Sequence, residues 1–578
     1  MKTTANRQFL RILTYFKPYW HLVALSALYA LLINAAELAN PYIMKLAIDD
    51  YISGGNPHLS IELLGFFYLA AVITGAVFNY SQTYLLNALV QKIMLNIRVQ
   101  LFAHIQKMPL RFFDRNSSGR LLTRVTNDVE ALNEMYSGVL IAFFKDFFML
   151  AGIVIVMIRM NFKLALVSFA VLPIIVVVTY LYNIKARWNF KRVRHLIAQI
   201  NGFFAENIAG MKLVQIFHRE SEKFAEFSKL NKEYNKASLF EVVLTAVFKP
   251  SAELINSLAI SILIWYCTPG IFGSTLEIGV LFAFITYVKK FFSPINDLAD
   301  KYNVIMAGSV AADRIFELLD TQAGKEDLEA GLDLKELRGA IEFRNVWFSY
   351  NDRDWVLKDV SFRVNPGETV AFVGPTGSGK STIINLIGRF YEIQKGEILL
   401  DGVNIKEIKL SVLRRLIAVV MQDVFLFSGD IRSNICLNNQ EIADAEVMKA
   451  ARYVNAAEFI EGLPQQYREE VKERGCTLSA GQRQLLSFAR AIVFNPAILV
   501  LDEATANIDT ETELIIQDSL KKVSQGRTTL VIAHRLSTIK DADTIIVIHK
   551  GRIREMGNHG QLLEQGGIYK GLYDMQFA

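Results

Sequence analysis

GPTGSGKST, residues Gly374 to Thr382, decides how the last third of this chain is read. The string matches G-x-x-x-x-G-K-[S/T], a loop whose backbone N–H groups cradle nucleotide phosphates. At average residue frequencies a chain of 578 residues would hold roughly 0.02 chance matches. A Gly-rich turn leading into a helix is therefore a weak alternative. Two further strings follow in order, LSAGQ at Leu478 to Gln482 and ILVLDE at Ile498 to Glu503.

Each string supplies a part of one site. Val370 to Val373 reads as a buried strand, Gly374 to Gly379 as the loop and Ser381 onward as the helix. Gly374, Thr376, Gly377, Ser378 and Gly379 let the amides turn inward as an anion nest, and the helix N-terminus adds positive potential. Lys380 is expected at the β- and γ-phosphates. Ser381, followed by Thr382, is expected to offer its hydroxyl to Mg²⁺. Ile498 to Leu501 reads as an apolar strand that ends in Asp502, a further Mg²⁺ ligand. Glu503 follows where a carboxylate orients the attacking water. Phosphoryl transfer depends mostly on positioning and charge stabilisation, so one carboxylate matters greatly.

Working outward, the composition divides the chain. Length alone argues for several domains. Hydrophobic residues make up 52% and mean hydropathy is +0.26, above what a soluble globular protein carries. The formal net charge of +5 is small for this size, so nucleic acid is not an expected partner. Cys267, Cys436 and Cys476 are scattered, odd in number and form no C-x-x-C pair. That argues against a disulfide framework or a zinc site and fits a reducing cytosol.

Apolar segments of about 20 residues, enough to cross a bilayer, recur over 22–41, 63–86, 138–158, 164–182, 252–270 and 278–292. Arg7, Arg11 and Lys17 precede the first, which lacks an A-x-A cleavage site and reads as a retained span. The stretches between spans two and three and between four and five are rich in Lys and Arg. The loop Asp49 to Ser60 and the loop after Cys267 carry neither, and Arg159 and Lys163 between spans three and four are a small exception on that side. This bias puts both termini and the two long loops in the cytoplasm. Those loops keep apolar residues at helical spacing, so the spans are expected to continue as helices and turn near 112–122 and 206–217. A solvated hairpin is the plainer reading of each turn, and docking onto another domain the functional one. Residues 1–319 thus read as a membrane domain, 320–338 as a polar linker and 339–578 as the nucleotide domain. The start of the last alternates like strands, with a turn at Pro366-Gly367.

With these residues in place the C-terminal part resembles the nucleotide-binding domain of the ABC transporter family. The whole chain resembles an ABC exporter half-transporter. The implied fold is six transmembrane helices with long cytoplasmic extensions, followed by an α/β P-loop NTPase domain of ABC type. LSAGQ is similar to the family signature LSGGQ, with Ala480 in place of a glycine. The resemblance implies that Ser479, Ala480, Gly481 and Gln482 face the ATP of a partner chain. It also implies that Gln422 senses Mg²⁺, that His534 contacts the γ-phosphate, and that Tyr350 stacks on adenine. Asp509 in ANID matches only the last residue of the family's SALD loop, and EVKERG at Glu470–Gly475 resembles a loop that touches coupling helices.

The resemblance further implies ATP and Mg²⁺ as cofactors and a dimer as the working unit, embedded in a membrane, the bacterial plasma (inner) membrane being expected. The expected function is ATP-driven export of a small hydrophobic or amphiphilic compound. An ATP-gated channel or sensor is the alternative. Because Ala480 and ANID depart from the pattern while Glu503 is kept, a heterodimer is expected over a homodimer. Glu37 and Glu253 are ionisable groups at membrane depth, where such residues are costly. Each is a candidate contact for cationic cargo, against a structural hydrogen bond or an interfacial position.

Overall fold

The computed structural model describes residues 11, 14–52, 59–272, 276–321, 331–334, 338–502, 510–532 and 539–577. The chain divides into two compact units. One comprises Met1–Gln106 and Ser117–Thr321, the other Lys107–Asn116 and Gln322–Ala578. The short piece Lys107–Asn116 thus belongs with the C-terminal residues.

Along the first 320 residues the main helices are α1 (Trp20–Ala47), α2 (Ile61–Gln106), α3 (Leu110–Arg115), α4 (Ile141–Met160), α5 (Phe162–Phe169), α6 (Leu172–Ala209), α7 (Met211–Ile216), α8 (Glu220–Phe272) and α9 (Ile278–Asp320). Backbone polar groups in lipid must be satisfied within the segment, which leaves helix as the form for these apolar runs. At 46 residues α2 measures about 69 Å, more than twice the ~30 Å hydrocarbon core. It therefore runs far past the expected end at residue 86. The fourth expected span is interrupted between α5 and α6, where Pro173 sits in the first turn of α6.

Among the described residues four stretches are long and apolar enough to cross a membrane: Lys17–Tyr51, Ile61–Gln106, Phe162–Ala209 and Glu220–Pro269. The third and sixth expected spans fall on α4 and α9. Both carry charge within their apolar stretch, Lys145, Asp146 and Arg159 in one and Lys289 and Lys290 in the other.

Methionines and β-branched residues of α4 (Met149, Ile153, Met157) pack with Ile175, Ala259, Leu263, Phe284 and Tyr287 in the core of this unit. Small residues and buried amides set the closest approaches, as expected where lipid supplies no hydrophobic drive between helices. Gln82 Nε2 donates to the Ser26 carbonyl at 3.1 Å, and Asn189 Nδ2 to that of Ala237 at 2.9 Å. Gly279 N–H donates to Asp49 Oδ1 at 2.6 Å; a Cβ on that glycine would lie 2.4 Å from the Lys45 carbonyl oxygen.

The C-terminal unit carries three sheets. A four-stranded antiparallel sheet has the order β2 (Leu357–Val364), β1 (Ile341–Phe348), β4 (Lys395–Leu400), β5 (Val403–Asn404). The central six-stranded sheet has the order β12 (Arg552–Gly557), β11 (Thr544–His549), β3 (Thr369–Val373), β10 (Thr528–Ile532), β9 (Ile498–Asp502), β6 (Ile417–Val420). A small pair joins β7 (Gly429–Asp430) to β8 (Glu470–Val471). In the central sheet only β12 is antiparallel. Strand β9 is apolar up to Asp502, and β10, which opens with Thr528 and Thr529, is buried throughout, as parallel strands covered on both faces are. Glu368 N–H donates to the Asn365 carbonyl around Pro366-Gly367, with Gly367 at φ +76. That is a type II turn with Pro and Gly in their favoured places. It delivers β3 to the centre of the sheet.

Candidate functional site: a phosphate cradle and a capped signature helix

β3 runs into the loop Gly374–Gly379, which opens helix α10 (Lys380–Ile387). Gly374 and Gly379 take φ of +153 and +111, and a Cβ at Gly374 would fall 2.1 Å from the Ile548 carbonyl oxygen. Only glycine fits this cradle. Lys380 is 5% exposed, and its ammonium donates to the carbonyls of Gly374 at 2.7 Å and Pro375 at 3.2 Å. Its charge is thus folded back over the loop. Ser378 is 3% exposed and its hydroxyl has no hydrogen-bond partner. A buried polar atom left so is costly, and a phosphate oxygen at the cradle would satisfy it. Amides, ammonium and hydroxyl together fit a nucleotide phosphate.

The proposed Mg²⁺ ligands Ser381, Gln422 and Asp502 offer only oxygen donors for a hard cation, which suits Mg²⁺. Ser381 is exposed at the first turn of α10, Gln422 follows β6 on the surface, and Asp502 closes β9 half-buried. β10 lies between β3 and β9, with Ile532 paired to Asp502. Glu503, Asp509 and His534 lie outside the described residues.

Tyr350 follows β1, and its hydroxyl shares a 3.2 Å hydrogen bond with that of Thr382. Its ring meets Phe348 edge-on at 4.8 Å and Tyr391 at 5.0 Å. Gln394 clamps the backbone just ahead of it, accepting from Ser349 N–H at 3.0 Å and donating to the Ser349 carbonyl at 2.8 Å. Tyr391 in turn donates its hydroxyl to Asp114 of α3. Burial, followed by that bond, pushes the Tyr391 hydroxyl up. Arg111 of α3 meets Asp352 at 3.2 Å, and this guanidinium, aided by Gln394, holds the Asp352 carboxyl below its usual range. Sequence reasoning missed Tyr391, Gln394 and Asp114. The one available signal was the aromatic pair Phe390-Tyr391 just past α10.

The string LSAGQ opens helix α11 (Ala480–Val493). Ser479 Oγ accepts from Gln482 N–H at 3.2 Å, and Gln482 Oε1 accepts from Ser479 N–H at 3.0 Å. This reciprocal capping box gives the serine and the glutamine a local reason to be three residues apart. Gly481 is buried while Ala480 is exposed at the first turn. A capped helix start with remaining free N–H groups is suited to an anion. Arg474 and Gly475, inside the EVKERG loop, both take positive φ.

In the membrane unit Glu37 lies 3.3 Å from Lys145 and 3.7 Å from Lys290. Its setting therefore carries two ammonium groups to one carboxylate. Glu253 is exposed and has no ion pair among the described residues. Asp146, next to Lys145 in sequence, pairs with Lys301 at 2.5 Å.

Two family models match the chain, the ABC transporter transmembrane region over residues 23–295 and the ABC transporter model over residues 357–506. The chain belongs to the ABC transporter family, as an integral membrane protein that couples ATP hydrolysis to transport. It is 41% identical over 513 residues to a probable multidrug resistance ABC transporter ATP-binding/permease protein, YheH, of Bacillus subtilis (strain 168), covering 88% of this chain and 76% of that one. It is 37% identical to an ATP-dependent lipid A-core flippase of Haemophilus influenzae (strain 86-028NP), covering 95% and 94%. Among solved structures it resembles a bacterial Atm1-family ABC exporter with ATP bound, at TM-score 0.80 and 30% identity, covering 96% and 98%. Members of this family with one membrane and one nucleotide domain work as dimers in the membrane.

Proposed function

We propose that this chain is one half of a dimeric exporter that moves hydrophobic or amphiphilic compounds out of the cell across the bacterial plasma membrane. One observation carries the reading: membrane helices, a phosphate cradle and a serine-capped signature helix all occur on one chain. The relatives named for multidrug resistance and lipid flipping support the cargo class. In this reading Lys380, Ser378 and the loop amides hold the triphosphate, and Ser381, Asp502 and Gln422 hold Mg²⁺. Glu503 polarises the attacking water and His534 steadies the γ-phosphate. Tyr350 packs on the base, and Asp509 lies where the two sites communicate. Mg²⁺ held by these residues would supply positive charge to offset that of the phosphates, while the residues position them.

The partner in this proposal is a second, different half-transporter. Ala480 adds a methyl at the exposed first turn of α11, where the amides approach the partner's ATP. The Glu503 of this chain then serves the competent site, and LSAGQ helps form the slower one. Among the membrane carboxylates Glu253 is proposed as the contact for a cationic cargo. Glu37, already held by two lysines, is proposed to contribute only if cargo displaces one of them.

The test is a purified dimer in vesicles. Glu503→Gln is expected to keep ATP binding and to lower turnover by about 10²–10⁴-fold, the span of a lost general base. Normal turnover in that variant would remove the assignment. Robust ATP-driven transport by this chain expressed alone would remove the heterodimer.

A further inference from the structure

The exception to the charge bias has a place in the fold. Arg159 lines a cavity of about 540 Å³ between α1, α4 and α9, within the size range of small-molecule sites. From α1 the cavity takes Ala35, Leu38, Ala39, Tyr42 and Lys45, one stripe along a single helix face. Ten residues of helix make that stripe about 15 Å long, half of a ~30 Å hydrocarbon core, which is the depth of one leaflet. Its deep end is lined by Ala35, Leu38 and Ile155, with Tyr287 donating to the Leu38 carbonyl at 2.6 Å; its shallow end carries Tyr42, Lys45, Arg159 and Val280, the last next to the Gly279 that meets Asp49. That shallow end lies at the connections after the first and third spans, which the charge bias puts on the outside.

The two cations differ. Lys45 is answered by Glu277 at 3.1 Å and Asp49 at 3.7 Å. Arg159 has no ion pair or hydrogen bond among the described residues, so one positive charge at the cavity mouth is unmatched. A cation in the last turn of α4 does meet the helix dipole favourably. The dipole gives no reason for an apolar slot beneath it.

We propose that this cavity binds an anionic amphiphile, its phosphate or carboxylate head at Arg159 and one acyl chain along the Ala35–Tyr42 stripe. The proposal rests on the export reading in taking an amphiphile as the ligand. The ligand has two possible sources, a lipid of the outer leaflet or cargo on its way out. A cationic cargo would be repelled here, so cargo as the source is incompatible with the cation contact at Glu253.

The experiment uses the dimer purified from membranes. The probes are lysophosphatidic acid and lysophosphatidylcholine of equal chain length, with binding read by native mass spectrometry. The wild type is expected to hold the anionic probe about tenfold more tightly, or 1.4 kcal/mol. Arg159→Gln is expected to erase that preference and Arg159→Lys to keep most of it. Ala39→Phe, which fills the slot, is expected to weaken both probes. Equal binding of the two probes by the wild type, or an unchanged preference in Arg159→Gln, overturns the proposal and leaves Arg159 a helix-end charge. If the source is cargo, ATP-dependent transfer of the anionic probe between leaflets slows in Arg159→Gln. If it is resident lipid, no transfer occurs, but the wild-type ATPase rate depends on phosphatidylglycerol in the vesicle and the variant's does not. Loss of the export reading would appear separately, as intact probe binding with no ATP-driven transport of any amphiphile.

Discussion

Lys380 of the nucleotide unit and the lysines around Glu37 and Asp146 in the membrane unit meet different kinds of partner. In the nucleotide unit Lys380 is buried and its ammonium is answered by main-chain carbonyls of the loop it serves. In the membrane unit Lys145 and Lys290 meet Glu37, and Lys301 meets Asp146. A neutral carbonyl is a weak competitor for an ammonium, so the bonds to Gly374 and Pro375 are readily given up to an incoming triphosphate. A carboxylate is a strong competitor, and in a low-dielectric setting each removal leaves its partner exposed to the full cost. The loop lysine is thus set against groups that a phosphate can outcompete, and the three membrane lysines against groups that hold them.

The largest expected effect breaks the first half of that comparison. Lys380→Ala removes the ammonium from the cradle and is expected to lower ATP turnover by about 10²–10³-fold. Nucleotide affinity is expected to fall with it. A variant that still bound and hydrolysed ATP normally would show that the lysine has no phosphate to meet.

Next in size is the balance in the membrane unit. Asp146→Ala leaves Lys301 without its carboxylate in a partly buried place, at a cost of about 1.5–3 kcal/mol. Thermal unfolding of the purified dimer should show a lower midpoint, and Lys301→Met in the same chain should recover part of the loss. Absence of any recovery would mean that the two charges are not coupled.

The smallest effect sharpens the line between binding and coupling. Tyr391→Phe keeps the aromatic contact with Tyr350 and loses only the bond to Asp114. The KM for ATP is expected to stay within about twofold, while stimulation of the ATPase by transported compound falls severalfold, in keeping with one charged hydrogen bond. An ATP KM that rises as much as stimulation falls would make Tyr391 part of the base site instead.

What the sequence disclosed divides by distance along the chain. The cradle was legible because Gly374 to Thr382 is contiguous and every residue type in it has a local job. The signature was legible too, and its Ser479–Gln482 spacing carried a second message, the capping box, that went unread beside the family likeness. Tyr391 was not legible: its partner Asp114 is 277 residues away, and no local pattern marks a tyrosine as a donor to a distant carboxylate. The partners of Glu37 were no more legible. Read alone it suggests a negative site, and only packing brings Lys145 and Lys290 to it. The span ends were blurred because the helices continue as helices beyond the apolar stretch, as α2 does to Gln106.

The membership of Lys107–Asn116 in the C-terminal unit has a consequence for synthesis. Those residues leave the ribosome long before the surface they join exists. At about 5–20 residues per second, Tyr391 is made roughly 14 to 55 s after Asp114. Throughout that interval the first two spans can already occupy the membrane while Asp114 of α3 waits without the Tyr391 hydroxyl. A chain cut short before Tyr391 would leave the Asp114 carboxylate without that donor. The bond between α3 and Tyr391 is thus a late mark of completion, made only in the last third of translation.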